Sequence, residues 1–310
     1  MLQALVYKST GSWYLCKTPD GRYHKARIKG RIKIDRSITS TNPVAVGDEV
    51  EVAHENDTES DLLIKAIHPR KNYLVRVSPH NKNQKHIVAS NVDQVVLMAT
   101  FKEPRTSTGF IDRCLVSADM YHIPACILFN KTDLLDEVEW QQVEELKTAY
   151  ENIGYPVHLV AVSKGEGLET LHAILQHRIS LFTGHSGVGK STLINALIPH
   201  KDLRVQEVSE WSGKGMHTTT FAEMHDIPGG GEIIDTPGIR ELGLVDIQRA
   251  ELGGYFPEFR RLAPQCRFAN CRHINEPDCA VVQAYENRTI YPSRYENYLK
   301  MLESIDDKNY

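Results

Sequence analysis

The sequence predicts an α/β protein in three parts: a small amino-terminal β-barrel, a largely parallel doubly wound sheet, and a short helical carboxyl-terminal part. Three observations predict it. Five short strand-like runs precede residue 70, strands alternate with helical segments from Gln94 onward, and three cysteines and a histidine cluster between Cys266 and Cys279.

The first five runs are Ala4 to Lys8, Trp13 to Lys17, Tyr23 to Ile34, Glu49 to Ala53 and Leu62 to Ile67, split by Thr10-Gly11, Pro19-Asp20-Gly21 and Val46-Gly47-Asp48. Gly, Asp and Pro at these positions make turns. So many short strands in so few residues favour closure over long exposed edges. An oligonucleotide-binding (OB) barrel fits the count, with an SH3-like barrel as the alternative. In the third run Lys25, Arg27, Lys29, Arg31 and Lys33 fall at odd positions and Ile28, Ile32 and Ile34 at even ones. On a strand the two sets take opposite faces. A row of cations neutralises nucleic-acid phosphates without reading sequence, although a solvated outer face has the same pattern.

His68-Pro69-Arg70-Lys71-Asn72 on to Lys85 reads as a basic, polar connector. Beyond it the apolar runs Gln94 to Ala99, Ala125 to Phe129, Val157 to Val162 and Ile179 to Thr183 alternate with helical patterns such as Ile111 to Tyr121 and Glu137 to Tyr150. Alternation of this kind builds a parallel sheet whose ligands sit at the carboxyl ends of the strands. From about Phe256 the pattern changes to the Cys/His cluster, followed by helix-like segments at Ala280 to Ala284 and Tyr295 to Leu302. That part has little evident apolar content, so a metal clip is expected to hold it. The expected domains are 1–71, 72–255 and 256–310.

The chain has 310 residues and a net charge of -4, so any attraction for nucleic acid must be local. Met1 to Tyr7 lacks the basic head and apolar run of a leader, and no apolar stretch reaches membrane-spanning length. A cytoplasmic monomer without membrane contact is expected. Of six cysteines, Cys16, Cys114 and Cys126 stand alone in apolar segments, whereas Cys266, Cys271 and Cys279 surround His273. In a reducing compartment such a set points to metal rather than disulfides. Its spacing, C-x4-C-x-H-x5-C, offers three thiolates and an imidazole, the ligands of a closed structural Zn²⁺ site; free buried cysteines are the alternative.

The chemistry-bearing motif is Gly184-His185-Ser186-Gly187-Val188-Gly189-Lys190-Ser191, which follows the run Ile179 to Thr183 and precedes the helix-forming Thr192 to Leu197. It satisfies G-x-x-x-x-G-K-[ST]. Glycines let backbone N–H groups curl around phosphates, Lys190 reaches the β and γ oxygens, and Ser191 offers a Mg²⁺ ligand. Asn130-Lys131-Thr132-Asp133 follows the run Cys126 to Phe129. An aspartate there accepts from the guanine N1–H and exocyclic amine, groups that adenine does not present in that arrangement, and leaving it unpaired is what rejects the wrong base. Ser163-Lys164 is a further candidate base contact, with a plain strand-to-helix turn as its alternative.

Asp235-Thr236-Pro237-Gly238 fits D-x-x-G: Asp235 is placed for Mg²⁺, and the Gly238 N–H can sense a γ-phosphate. One of Thr218, Thr219 and Thr220 should complete the Mg²⁺ shell, and Thr219 is chosen. The residue after Gly238 is Ile239, which cannot orient water. Slow intrinsic hydrolysis follows, with the missing group supplied by a partner or by His217, which alternatively only packs.

These motifs run in an unusual order. An ordinary Ras-like GTPase opens with the phosphate loop and carries N-K-x-D near its end, whereas here N-K-x-D comes first and D-x-x-G last. That is a circular permutation, which keeps the site and moves the termini. The chain leaving Gly238 runs towards the Cys/His cluster, which suggests that the γ-phosphate state could reposition that part.

Together, the permuted motifs, the barrel and the C-x4-C-x-H-x5-C cluster resemble the RsgA/YjeQ family of circularly permuted GTPases across nearly the whole chain. The resemblance implies a GTP-hydrolysing factor, with GTP/GDP and Mg²⁺ as ligands and one structural Zn²⁺. It further implies action in late maturation of the small (30S) ribosomal subunit, contact with its rRNA, and hydrolysis that is slow alone and much faster on the subunit. On this basis Asn130, Lys131 and Asp133 contact the base, Gly184 through Thr192 the phosphates, and Cys266, Cys271, His273 and Cys279 the zinc; Thr132 and Ser163 stay as further nucleotide-binding candidates beside them. The sequence begins almost at the first barrel strand, without the basic extension that some members carry, which puts any ribosomal contact made by such an extension in doubt. Two other classes are weighed against this: a non-catalytic GTP-dependent RNA-binding scaffold, which Ile239 permits, and a P-loop ATPase or kinase, which leaves Asn130 and Asp133 without a purpose.

Overall fold

The computed structural model describes residues 1–28, 43–54, 61–78, 81–198, 222–236, 244–245 and 247–305. Its first five strands are β1 (Leu2–Ser9), β2 (Tyr14–Lys17), β3 (Tyr23–Ile28), β4 (Glu49–His54) and β5 (Asp61–Ile67). They pair in the order β1-β2-β3-β5-β4 and close through β1–β4, with β3 and β5 parallel and every other pair antiparallel. This five-stranded closure is of the OB type. Period-two alternation fills it: Val6, Tyr14, Cys16, Ala26, Val50, Val52, Leu62 and Ile64 form the interior. A bulge between Val6 and Lys8 lets consecutive residues serve two cores, Val6 inside the barrel and Tyr7 in the core shared with the large sheet.

The expected connector at residues 68–85 is a correction. It contains β6 (Tyr73–Ser78) and the start of β7 (Asn81–Ser90), an antiparallel hairpin forming its own two-stranded sheet. Basic residues within the two strands, Arg76, Lys82 and Lys85, hide the signal, but Leu74, Val75, Val88 and Ala89 are buried and supply the driving force. The hairpin ends are tied to the barrel through buried Asp48, which accepts from Arg70 Nε at 2.7 Å and from Ser90 Oγ at 2.6 Å.

The large sheet continues with β8 (Gln94–Thr100), β9 (Ala125–Asn130), β10 (Val157–Leu159), β11 (Ile179–Thr183), β12 (Glu223–Asp226) and β13 (Glu232–Asp235). The order β10-β9-β8-β11-β13 is parallel throughout, and β12 closes the edge antiparallel to β13. The helices are α1 (Thr108–Met120), α2 (Glu137–Ile153), α3 (Leu168–Leu175) and α4 (Lys190–Leu197). With helices on both faces the strands are buried on both sides, which is why the centre of β8, Val95 to Ala99, reads Val-Val-Leu-Met-Ala without a polar residue. Ser107 caps α1, and an Asp136/Glu139 capping box starts α2. Barrel and sheet meet edge to edge, with Lys8 of β1 opposite Glu223 of β12.

The carboxyl-terminal part carries α5 (Pro257–Leu262), α6 (Ala280–Glu286) and α7 (Pro292–Ser304). The expectation of little apolar content is also corrected. Phe256, Phe259, Tyr295, Tyr298, Met301 and Leu302 form a buried cluster that includes Val116 of α1. Helical spacing disperses these residues along the sequence and packing gathers them.

Candidate nucleotide site and metal cluster

Because the five central strands are parallel, the loops after β8, β9, β11 and β13 leave from one edge of the sheet. In the phosphate loop Gly184, Gly187 and Gly189 have φ of 150°, 84° and 98°. A Cβ on Gly184 would lie 2.3 Å from the Met98 carbonyl oxygen, and one on Gly189 2.4 Å from Asn130 Nδ2. Glycine is required at both by conformation and by space. Val188 is wholly buried and anchors the loop, His185 stacks on Phe110 with ring centroids 3.7 Å apart, and Ser186 is exposed. Lys190 Nζ donates to the Gly184 and His185 carbonyls at 2.5 and 2.9 Å, so the ammonium is held inside the loop. Burial pushes its pKa down and Asp235 partly opposes this. Phosphate oxygens would replace these carbonyls as better partners for a desolvated cation.

Asn130 joins the phosphate loop to the base loop. Its Nδ2 donates to the Val188 carbonyl at 2.9 Å and its Oδ1 accepts from Val162 N at 3.1 Å. Lys131, at φ 63°, donates to the Glu103 carbonyl, while Thr132 Oγ1 donates to the Val160 carbonyl at 3.0 Å. Asp133 is exposed beyond them, with Ser163 Oγ donating to it at 3.4 Å. An exposed carboxylate above a buried asparagine is the arrangement a purine edge needs. Sequence positions 130–133, 163 and 184–192 therefore come together.

Asp235 ends β13 directly across from Phe182 of β11, and Thr236 Oγ1 donates to the Phe182 carbonyl at 2.9 Å. Ser191, in the first turn of α4, is half-buried. The hard oxygens of Ser191 and Asp235 suit Mg²⁺. His217, Thr219 and Gly238 lie outside the described residues, as do Ile239 and the cations Lys29, Arg31 and Lys33. Lys25 and Arg27 are exposed on β3 while Ala26 between them is buried, the expected alternation.

The atoms of Cys266, Cys271, His273 and Cys279 that could hold a metal all lie within 4.8 Å of one another. His273 Nδ1 is 3.3 Å from Cys279 Sγ and 3.7 Å from Cys266 Sγ, and the two sulfurs are 3.9 Å apart. A tetrahedral Zn²⁺ with bonds of about 2.0 Å to nitrogen and 2.3 Å to sulfur spaces such atoms roughly 3.5–3.8 Å apart. The donor set fits zinc and leaves no ligand position open. Tyr295 OH donates to the His273 carbonyl at 2.8 Å. Burial raises the Glu276 carboxyl, but backbone N–H groups of Ile274, Arg272 and Asn275 outweigh it and hold the pKa at about 2.

Three polar clusters escaped the sequence: the loop at residues 101–106 beside the nucleotide loops, the Asp226 cluster that ties β12 to the barrel, and the Asp112–Arg294–Glu258 network. Each joins residues far apart in the chain, and only the hydrophobic runs flanking them were visible. No helix among the described residues is long and apolar enough to cross a membrane.

Comparison with known proteins follows the same division. The family model described as RsgA GTPase matches residues 67–245, and that described as RsgA N-terminal domain matches residues 3–61. A Bacteroides fragilis protein named "Small ribosomal subunit biogenesis GTPase RsgA" is 47% identical over 309 residues, which covers 100% of this chain and 99% of that protein. Its namesake from Flavobacterium psychrophilum is 47% identical over 312 residues, covering 100% and 94%. Among solved structures, YjeQ from Thermotoga maritima superposes with a TM-score of 0.79 at 33% identity over 99% of each chain. YloQ, described as a circularly permuted GTPase, superposes at 0.75 and 29% identity over 100% of this chain and 96% of that one. With the permuted order of its motifs borne out by the order of its strands, the chain belongs to the RsgA GTPase family of circularly permuted GTPases.

Proposed function

We propose that this GTPase acts in late maturation of the small ribosomal subunit, binding the subunit through rRNA and hydrolysing GTP when bound to it. The single observation that carries the site assignment is the bridge from Asn130 to Val188, which unites the two nucleotide motifs across 58 residues of sequence. Asn130, Lys131, Thr132, Asp133 and Ser163 hold the guanine, and residues 184–192 hold the phosphates. Ser191, Asp235 and Thr219 hold Mg²⁺, which neutralises charge on the β- and γ-phosphates when bound. Lys190 stabilises charge developing on the transferred phosphoryl group, the Gly238 N–H meets the γ-phosphate, and His217 orients the attacking water in place of the side chain that Ile239 cannot provide. The cluster of Cys266, Cys271, His273 and Cys279 holds one structural Zn²⁺.

The working parts are a barrel at 1–71, a nucleotide-binding domain at 72–255 and a zinc domain at 256–310, in a cytoplasmic monomer. Lys25, Arg27, Lys29, Arg31 and Lys33 face rRNA phosphates. GTP turnover of the full chain, measured with and without small ribosomal subunits, tests the reading. Expected is slow turnover alone and acceleration by orders of magnitude with subunits; a rate indifferent to subunits leaves a non-catalytic scaffold, and equal competition by ATP leaves a P-loop ATPase. His217→Ala should abolish the accelerated rate while GTP affinity stays unchanged. Charge reversal at Lys25 and Arg27 should weaken subunit binding and flatten its salt dependence.

A further inference from the structure

The loop between β8 and α1, residues 101–106, touches both halves of the nucleotide site. It is closed on itself by two buried threonines: Thr106 N donates to the Thr100 carbonyl at 2.9 Å, Thr100 N donates to Thr106 Oγ1 at 3.0 Å, and Thr100 Oγ1 donates to the Pro104 carbonyl. Pro104 lies against the phosphate loop, so that a Cβ on Gly187 would sit 3.3 Å from Pro104 Cδ. The Glu103 carbonyl accepts from Lys131 Nζ. One residue earlier, Lys102 Nζ donates to Glu139 Oε2 at 2.6 Å.

Glu139 is not an arbitrary anchor. The same Oε2 accepts from Asp136 N at 3.0 Å, and Asp136 Oδ1 accepts from Glu139 N at 2.9 Å, the reciprocal box that starts the helix just after the base loop. The ion pair therefore pins the loop to the first turn of α2, the helix that follows Lys131 and Asp133 in the chain, while Pro104 pins it to the phosphate loop. We propose that Lys102 and Glu139 are positioning residues of the nucleotide site: their ion pair clamps the loop at 101–106 as a strut that sets the base loop against the phosphate loop and fixes Lys131 for the bound nucleotide. This rests on the reading of residues 130–133 as the base contacts.

An ordinary surface ion pair does little, and for that reason its effect on nucleotide binding is separable from its effect on folding. Dissociation of fluorescent GDP and of a fluorescent non-hydrolysable GTP analogue from the full-length protein is measured by stopped flow for Lys102→Met, Glu139→Gln, the double variant and Lys102→Arg. Expected is release of both nucleotides faster by about threefold to fivefold in each single variant, the range a single exposed ion pair can supply. The double variant is no worse than either single, and Lys102→Arg restores the parental rate. The KM for GTP rises in parallel while kcat at saturation is unchanged, and the melting temperature moves by no more than about 2–4 °C.

Release rates unchanged in Lys102→Met and Glu139→Gln overturn the proposal, as does a double variant that shows the sum of two independent effects. Asp133→Ala is the control for the underlying reading. If it loses guanine-nucleotide affinity while the ion-pair variants release at the parental rate, the strut alone is refuted; if it keeps parental affinity and base preference, the base-site reading falls and the strut with it.

Discussion

At the scale of single residues, the strongest constraint outside the nucleotide site is Arg294. It is 2% exposed and donates to Asp112 Oδ1 at 2.6 Å and to Glu258 at 2.7 and 3.1 Å, while Asp112 also accepts from Tyr150 OH and Asn297 Nδ2. Burial opposes the guanidinium charge, but Asp112 and Glu258 more than offset it, so Arg294 stays protonated. Removing it would leave the buried Asp112 and Glu258 carboxylates without the cation they share. Arg294→Met is therefore expected to cost about 3–5 kcal/mol in urea unfolding, although the apolar side chain fills much of the same space. Asn130→Ala belongs with it, because it strips the buried Val188 carbonyl and Val162 N–H of their partner. A loss of about 1–3 kcal/mol in GDP binding by calorimetry is expected. The sequence singled out Asn130 as an expected base contact. It could not show the second role, because nothing in positions 130 and 188 taken separately says that they touch. Arg294 gave no signal at all, since an arginine in a helical pattern reads as solvated until its partners on α1 and α5 are known.

At the scale of elements, β1 has two allegiances, and the junction they create can be tested by acid. Asp226, at the end of β12, accepts from Tyr7 OH at 2.6 Å, Tyr23 OH at 2.5 Å and Lys17 Nζ at 2.7 Å, and the Lys17 ammonium lies 5.3 and 5.6 Å from the two ring centroids. Burial pushes the Asp226 carboxyl up, but these hydrogen bonds outweigh it and hold the pKa below its usual value. A carboxyl whose folded pKa is depressed adds stability above the unfolded value of about 3.9, and that stability is lost as pH falls below it. Glu232, opposite Asp226 on β13, runs the other way: burial and Asp226 raise its pKa, so it costs stability at neutral pH and relieves that cost on acidification. Asp226→Asn should accordingly lower stability at neutral pH and flatten its fall below about pH 4, read from urea midpoints across the range. The elements themselves were largely legible. Period-two alternation exposed the barrel strands, and unbroken apolar runs exposed the parallel ones. What failed was the hairpin β6–β7, where basic residues interrupt a Tyr-Leu-Val-Arg-Val run whose β-branched content was the available clue.

At the scale of the whole molecule, the permutation frees two ends of the nucleotide domain, and the two appended parts attach to it differently. The barrel extends the sheet at β12, one strand from Asp235, whereas the carboxyl-terminal part packs on α1 through Val116 and the Arg294 network. The order of motifs suggested that this part follows Gly238; α1 gives it a second and buried attachment. That attachment bears on what the metal does. The proposed zinc ligands span only residues 266–279, while the core of Phe256, Phe259, Tyr295, Tyr298 and Met301 reaches the helices on either side. If the metal held the whole part together, as the sequence alone suggested, chelation would release all of it. If the aromatic core holds it, chelation should disorder the ligand loop and leave α7 docked on α1. Hydrogen exchange in the full-length protein, before and after zinc removal by a chelator, decides between these. Expected is loss of amide protection across residues 266–279, with protection in α1 and α7 falling by less than about tenfold, since local opening does not require global unfolding. The His273 carbonyl bond to Tyr295 sets the boundary between the two behaviours, so Tyr295→Phe should carry the loss of protection further into α7 once the metal is gone. Loss of α7 protection in step with metal release from the unaltered chain would instead make zinc the fastening for the entire carboxyl-terminal part.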